Sequence, residues 1–203
     1  MKTKDLLLFI VAGLVAFSAA RPAAAQDVGK GEVSGGYQFI NLSSGGSSQS
    51  MPAGWYLDLA GNLTRSFAVV AAVGGNYKSQ QESAPYLGAT VTTTADIKVY
   101  EFMGGTRFSV RANPNVVPFA HVLVGAAHGS TSYSSTATYG RQMVFSASGA
   151  DSETNFALQA GGGTNFAFTR MVGIRVEADY LRIFASYAGA NLFRFGAGIN
   201  IPF

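Results

Sequence analysis

Residues 192–203 read LFRFGAGINIPF, and from Phe193 to Ile201 their side chains alternate strictly between two kinds. One set is apolar and mostly large, and it consists of Phe193, Phe195, Ala197, Ile199, Ile201 and Phe203. The other set is small or polar, and it consists of Arg194, Gly196, Gly198 and Asn200. Because successive side chains of a β-strand point to opposite faces, this alternation predicts a strand with one apolar face and one small, polar face.

The same alternation recurs through the chain after residue 26. It is found in seven further segments, 32–40, 55–61, 67–78, 97–108, 116–128, 155–165 and 173–182. In 116–128 nearly every residue is apolar, and we place His121 on the inner face with Val122 and Val124 on the outer face. The sequence therefore predicts an all-β protein of eight strands.

The connections between these strands alternate in length. Long segments rich in Ser, Thr, Gly and Ala follow every odd-numbered strand, at 41–54, 79–96, 129–152 and 183–191. Short links follow the even-numbered strands, at 62–66, 109–115 and 166–172. Long loops at one end and short turns at the other are typical of an antiparallel meander that crosses a membrane, with the long loops outside the cell.

Side-chain volume indicates which face of the strands is enclosed. An eight-stranded barrel has an interior only just wide enough for side chains, which favours small residues there. The polar faces carry Gly36, Ala60, Gly74, Ala157, Gly161, Gly163, Gly196 and Gly198, whereas the large apolar residues lie opposite. We therefore predict an eight-stranded antiparallel up-and-down transmembrane β-barrel with bulky apolar residues facing lipid.

Composition excludes several other classes of protein. Only 12% of the 203 residues are charged, whereas about 25% is usual in soluble domains. The 15 Phe and 9 Tyr residues exclude an intrinsically disordered chain. The absence of Cys excludes disulfides, thiolate metal sites, a cysteine nucleophile and a lipoprotein anchor.

The N-terminus has the features of an export signal. Lys2 and Lys4 precede an apolar stretch over 6–20, and the run Pro22-Ala-Ala-Ala25 resembles a signal peptidase site. We predict a cleaved signal peptide at 1–25 and a barrel domain at 26–203. Removal of the signal would reduce the net charge from +3 to +1, which gives no reason to expect a nucleic-acid partner.

Eight charged residues fall on the predicted inner faces of the strands. They are Glu32, Asp58, Glu101, Arg107, Arg175, Glu177, Asp179 and Arg194. Enclosed charges are costly unless they are paired, so we predict an inward network of ion pairs. Two roles are open: the network plugs the barrel and fixes strand register, which we favour, or it acts as a gate for ions or water.

Aromatic residues cluster near the predicted strand ends. Trp55, Tyr77 and Tyr100 lie near the long loops, and Phe67, Phe108 and Phe203 lie near the short turns. We interpret them as the two interfacial girdles of a transmembrane barrel.

The run Gly161-Gly-Gly163, the segment Ile174-Arg-Val-Glu-Ala-Asp-Tyr-Leu181, the segment beginning Val117-Pro-Phe-Ala-His and the closing strand together resemble small bacterial outer-membrane β-barrel proteins. The chain is similar to their OmpA-, OmpX- and opacity-like barrel domains. The resemblance implies a location in the bacterial outer membrane and a structural, adhesive or small-pore role.

The resemblance also implies partners for the barrel. These are outer-membrane lipid, lipopolysaccharide and the barrel assembly machinery, with the protein itself a monomer. The assembly machinery would read the C-terminal pattern of Phe195, Ile199, Ile201 and Phe203.

Two alternatives belong to other functional classes. A soluble lipocalin-like carrier would need an apolar interior, the reverse of the faces assigned above. A lipid A-modifying enzyme could use His128 and Ser130, but no acidic residue follows them before Asp151. His121 and His128 lie on opposite strand faces and do not suggest a metal site. We therefore expect no enzyme activity, no metal and no cofactor.

Overall fold

The computed structural model describes residues 29–44, 47–86, 88–140, 142–185 and 189–203, so the predicted signal peptide lies outside the described residues. The described residues form nine strands: β1 (Gly31–Ser44), β2 (Ser47–Met51), β3 (Ala53–Asn62), β4 (Phe67–Tyr86), β5 (Ala89–Ser109), β6 (Val116–Tyr139), β7 (Gln142–Ala167), β8 (Gly173–Phe184) and β9 (Ala190–Pro202). None of these described residues forms a helix long and apolar enough to cross a membrane.

All strand pairs are antiparallel, and the sheet closes on itself because β1 pairs with β9 as well as with β3. At this seam Gly36 lies opposite Gly198. A Cβ atom on Gly36 would overlap the backbone of Ala197 and Gly198. Glycine at these positions therefore lets the first and last strands approach closely enough to close the barrel.

The strands β2 and β3 occupy one position in the barrel wall, since both pair with β1. Met51 lies opposite Ile40 and Trp55 lies opposite Tyr37, so three residues of one strand face two of β1. This bulge contains Pro52, which has no amide hydrogen to donate to the ladder. The wall thus has the eight positions that the sequence predicted.

The prediction that 79–96 and 129–152 are loops is wrong. The ladder of β4 with β5 runs without a break from Phe67–Phe108 to Tyr86–Ala89, and that of β6 with β7 continues to Tyr139–Gln142. Tight turns with Gly88 (φ 81°) and Gly140 (φ 62°) end the two hairpins. The Ser- and Thr-rich composition suggested loops, but Thr also favours strands, and regular pairing prevailed.

We call residues 79–96 and 129–155 the blade. It is a four-stranded extension of the barrel wall in the order β4-β5-β6-β7, and none of its described residues is buried. Hydroxyl groups join neighbouring strands, with 2.9 Å between Ser83 and Thr92 and 2.9 Å between Thr93 and Ser135. The end of the barrel that carries the blade is its blade side, and the opposite end, with the short turns, is its turn side.

Inside the barrel portion, the two faces of each strand differ as predicted. Large apolar residues are exposed on the outer face, including Phe195 (53%) and Val122 (53%), whereas His121 is buried on the inner face. Aromatic pairs lie near both ends of the outer face: Tyr77 with Tyr100 on the blade side and Phe67 with Phe108 on the turn side.

Candidate functional site

We call the space enclosed by the closed sheet the lumen. The structure places all eight charged residues singled out from the sequence on the inner face, and none is more than 6% exposed. They come from five strands, β1, β3, β5, β8 and β9, and separate into two groups along the barrel axis: Glu32, Asp58, Arg107 and Arg175 towards the turn side, and Glu101, Glu177, Asp179 and Arg194 towards the blade side.

The group nearer the turn side, which we call the charge quartet, is a closed ring of ion pairs. Arg107 contacts Glu32 and Asp58, each at 2.7 Å. Arg175 contacts the same two carboxylates at 2.5 and 3.0 Å. Neither β5 nor β8 pairs with β1 or β3. These ion pairs therefore cross the lumen. Two cations and two anions leave the quartet without net charge.

Two uncharged side chains hold the quartet in place. The ring of Phe119 packs against both guanidinium groups, and its centroid lies 4.6 Å from Cζ of Arg107 and 4.7 Å from Cζ of Arg175. Arg175 also donates a hydrogen bond from Nε to Asn165 Oδ1 at 2.8 Å. The sequence reading did not single out Phe119 or Asn165, although period-two alternation places both on the inner face.

The second group, which we call the Arg194 cluster, is centred on one guanidinium. Arg194 contacts Asp179 at 2.5 Å and Glu177 at 3.0 Å, while Glu101 lies 3.9 Å away. His121 Nε2 lies 2.8 Å from Asp179 Oδ1. Three carboxylates therefore face one arginine and one histidine.

Amide side chains complete the Arg194 cluster. Arg194 donates from Nη1 to Gln38 Oε1 at 3.1 Å, and Gln38 in turn donates to Asn76 Oδ1 at 2.5 Å. Gln159 donates to Asp179 Oδ2 at 3.1 Å. Sequence reasoning missed these three amides, which lie on the inner face of their strands.

Glycine provides the space that these side chains occupy. A Cβ atom on Gly161 would overlap the Asp179 carboxylate, and one on Gly163 would overlap the backbone at Val176 and Glu177. Gly161 and Gly163 thus lie where β7 approaches β8, whereas a Cβ atom on Gly162 would overlap the backbone of Phe119 on β6. On its blade side the lumen is filled by Ile40, Leu181 and Leu192, each at most 1% exposed.

The two histidines considered for catalysis or metal binding, His121 and His128, lie on opposite faces of β6. His121 is buried in the lumen, whereas His128 is half-buried and belongs to the outer face. Among the described residues, the hydrogen-bond partner of the His128 ring is Thr154, at 2.8 Å, rather than Ser130. The described part of the chain contains no group of three or more His, Asp or Glu side chains that could hold a metal ion.

Of the residues proposed as an assembly signal, Phe195, Ile199 and Ile201 lie on the outer face of β9, and Phe203 directly follows the strand. Phe195, Ile199, Ile201 and Phe203 are 43–61% exposed. The strand pairs with β8 on one side and β1 on the other, and it ends at Pro202. An apolar, outward-facing C-terminal strand is therefore part of the closing seam.

Residues 9–200 match the family described as the outer membrane protein beta-barrel domain. Ail, the attachment invasion locus protein of Yersinia pestis, has a similar structure, with 22% identity, a TM-score of 0.58, and coverage of 85% of this chain and 99% of Ail. Neisserial surface protein A (NspA) gives 13% identity, a TM-score of 0.58, and coverage of 88% and 100%. No curated protein matches the chain.

Proposed function

Because the chain belongs to the outer membrane protein beta-barrel domain family, we propose that it is a plugged barrel that displays the blade at the bacterial surface for attachment. The protein is located in the bacterial outer membrane. The charge quartet and the Arg194 cluster have a structural role in this proposal: they fill the lumen and fix the register of the strands around it.

Strand length is the observation that carries this proposal. A membrane-spanning β-strand needs about 9–11 residues, whereas β6 has 24 residues and β7 has 26. The excess lies almost entirely at one end, where it forms the blade. Regular, hydrogen-bonded strands that continue well past the membrane present a defined surface, which suits recognition better than a flexible loop would.

The contents of the lumen support attachment over conduction. Arg107 and Arg175 reach across the lumen to the same two carboxylates, and the ring of Phe119 packs against both guanidinium groups. An open path would require several buried ion pairs to break together, which is costly in a region of low dielectric. We therefore infer that the purified barrel does not conduct at rest.

The blade differs in charge from a surface that binds sulfated sugars. The structure of Ail was determined in complex with the heparin analogue sucrose octasulfate. Here the blade segments contain four acidic residues and a single basic one, Arg141. Repulsion of sulfate groups along the blade is expected, so we infer that the blade does not recognise a heparin-like surface.

The outer face of the barrel portion supports the remaining partners. The alternating apolar residues of β9, ending in Phe203, suit recognition by the barrel assembly machinery. The exposed Trp55 and the half-buried Tyr77 and Tyr100 on the blade side suit contact with lipopolysaccharide, since aromatic rings favour the membrane interface. No partner chain is required to complete the lumen, and we propose a monomer.

Display of the blade can be tested by cysteine labelling, because the natural chain has no Cys. Ser134→Cys lies on the exposed face of the blade, and the matched control Ala112→Cys lies on an exposed short turn. In intact cells, a membrane-impermeant maleimide should label the first variant and should reach the second only after the outer membrane is permeabilised. The opposite pattern would overturn the proposed orientation.

Attachment is then measured with cells that produce the full chain or a chain with a shortened blade. Adhesion to host-cell monolayers should fall with the shortened blade, and added heparin should not compete. In parallel, the purified barrel in a planar bilayer should carry no current. A steady conductance with unchanged adhesion would support a small pore in place of attachment.

A further inference from the structure

Large apolar side chains are concentrated at the tip of the blade. We call the residues Tyr86, Tyr139, Met143, Val144 and Phe145 the apex. Each is 59–67% exposed, although all lie in a part of the chain that is otherwise dominated by Ser, Thr, Ala and Gly. An apolar cluster of this size on an exposed surface is characteristic of a contact with a protein or a membrane.

The apex is one surface because the tips of the two hairpins lie side by side. A Cβ atom on Gly88, in the turn between β4 and β5, would lie 3.2 Å from the ring of Tyr139, the last residue of β6. A register shift then pairs Thr138 with Met143 and Ala137 with Phe145, which leaves Val144 outside the ladder. This shift brings three consecutive large apolar residues to the tip.

We propose that the apex inserts into the interfacial layer of an opposing lipid bilayer. This inference rests on the proposed function, and it names the surface that the blade contacts. The apex is the end of two adjacent hairpins and is therefore convex, which suits insertion between lipid headgroups but provides no groove for a peptide. Tyr86 and Tyr139 carry the amphipathic rings that favour a membrane interface.

Charge and reach also favour a bilayer. The sequence has no Asp or Glu in 83–95 or 129–150, and Arg141 is the one charged residue in these two stretches. Lipid headgroups, neutral or anionic, would therefore meet no repulsion at the tip. From Phe156 to Gln142 the strand spans 14 residue steps, so the blade extends roughly 45 Å at about 3.3 Å per residue.

The experiment uses the full chain in nanodiscs, mixed with separate vesicles of phosphatidylcholine alone or with phosphatidylserine. We expect the nanodiscs to float with both kinds of vesicle. The triple variant Met143→Ser, Val144→Ser, Phe145→Ser should bind the vesicles at least about tenfold more weakly, because each buried apolar side chain contributes to insertion.

The matched control removes the same number of exposed apolar residues from the opposite end of the barrel. Phe168→Ser, Met171→Ser, Val172→Ser changes a short turn whose side chains are 43–72% exposed. It should leave flotation unchanged. The heat-dependent shift in gel mobility confirms that both triple variants are folded.

Two results would overturn the inference: equal flotation of the wild type and the apex variant, or absence of flotation by the wild type. Self-association of the wild type that is lost in the apex variant, without vesicle binding, would assign the apex to a second copy of this chain instead. If cells with the full blade still adhere although vesicles do not bind, attachment stands and only the lipid partner is wrong.

Discussion

The strands β4 to β7 pass through two different surroundings. In the barrel, one face of each strand contacts a lumen in which charged groups and their partners are buried. In the blade, both faces are accessible, and the ladder and small hydroxyl contacts hold the strands together. The comparison indicates that stability is concentrated in the barrel and that the blade is free to vary in sequence.

The largest effect is expected where a buried cation of the charge quartet is removed. Arg175→Met leaves Glu32 and Asp58 with one guanidinium in place of two. Breaking a buried ion pair by removing one partner typically costs about 3–5 kcal/mol. Urea-induced unfolding in detergent micelles should show a loss of this size.

The control for this prediction is Arg182→Met on the same strand, since Arg182 lies outside the charge quartet and is only partly buried. Its effect on unfolding should be small. The fourfold variant Glu32→Gln, Asp58→Asn, Arg107→Met, Arg175→Met removes every charge of the quartet together, and it should recover part of the lost stability. A stability of Arg175→Met equal to that of the wild type would contradict the role assigned to the quartet.

A smaller difference is expected between two carboxylates of the Arg194 cluster. Asp179 contacts Arg194, His121 and Gln159, whereas no hydrogen-bond donor among the described residues reaches either oxygen of Glu101. Asp179→Asn should therefore cost about 1.5–3 kcal/mol, the range for hydrogen bonds to charged groups.

Glu101→Gln provides the matched comparison, because it removes the same charge from the same cluster. It should change the free energy of unfolding by less than about 0.5 kcal/mol, or stabilise the barrel, because it removes a buried carboxylate that has few compensating contacts. Equal losses for the two variants would show that net charge, rather than these individual contacts, determines stability in the cluster.

The barrel could be predicted from the sequence because its strands have two unlike faces. Alternation placed Glu32, Asp58 and Arg175 on the inner face without any knowledge of the fold, and the short turns marked where strands begin. The alternation could not predict which inner-face residues contact one another, because contacts across the lumen depend on the stagger of all eight wall positions. The packing of Phe119 against both Arg107 and Arg175 is such a contact.

The blade could not be predicted from the sequence, because its strands do not have two unlike faces. Its residues are exposed on both faces, so no apolar alternation marks them as strand, and Ser, Thr and Gly suit loops equally well. Gly88 and Gly140, which end the hairpins, are single turn residues within a Gly-rich chain and carry little signal alone. Sequence patterns therefore report burial more directly than they report regular backbone pairing.

The smallest effect is expected when the blade is cut. Residues 82–93 and 135–147 would each be replaced by Asn-Gly, which forms the tight turn of a two-residue hairpin. Both cuts fall at one level of the ladder, where Gln81, Thr94, Ser134 and Ser148 are paired in a row. Since no buried contact is lost, the free energy of unfolding should change by less than about 0.5 kcal/mol.

The same variant separates the two regions by function. Hydrogen exchange of the intact protein should be faster in the blade than in the barrel, because the blade lacks buried contacts that oppose local opening. After the cut, exchange in β8 and β9 should be unchanged, while adhesion is lost. A marked destabilisation of the shortened protein would show that the blade supports the barrel, and the separation between a stable wall and a displayed surface would then fail.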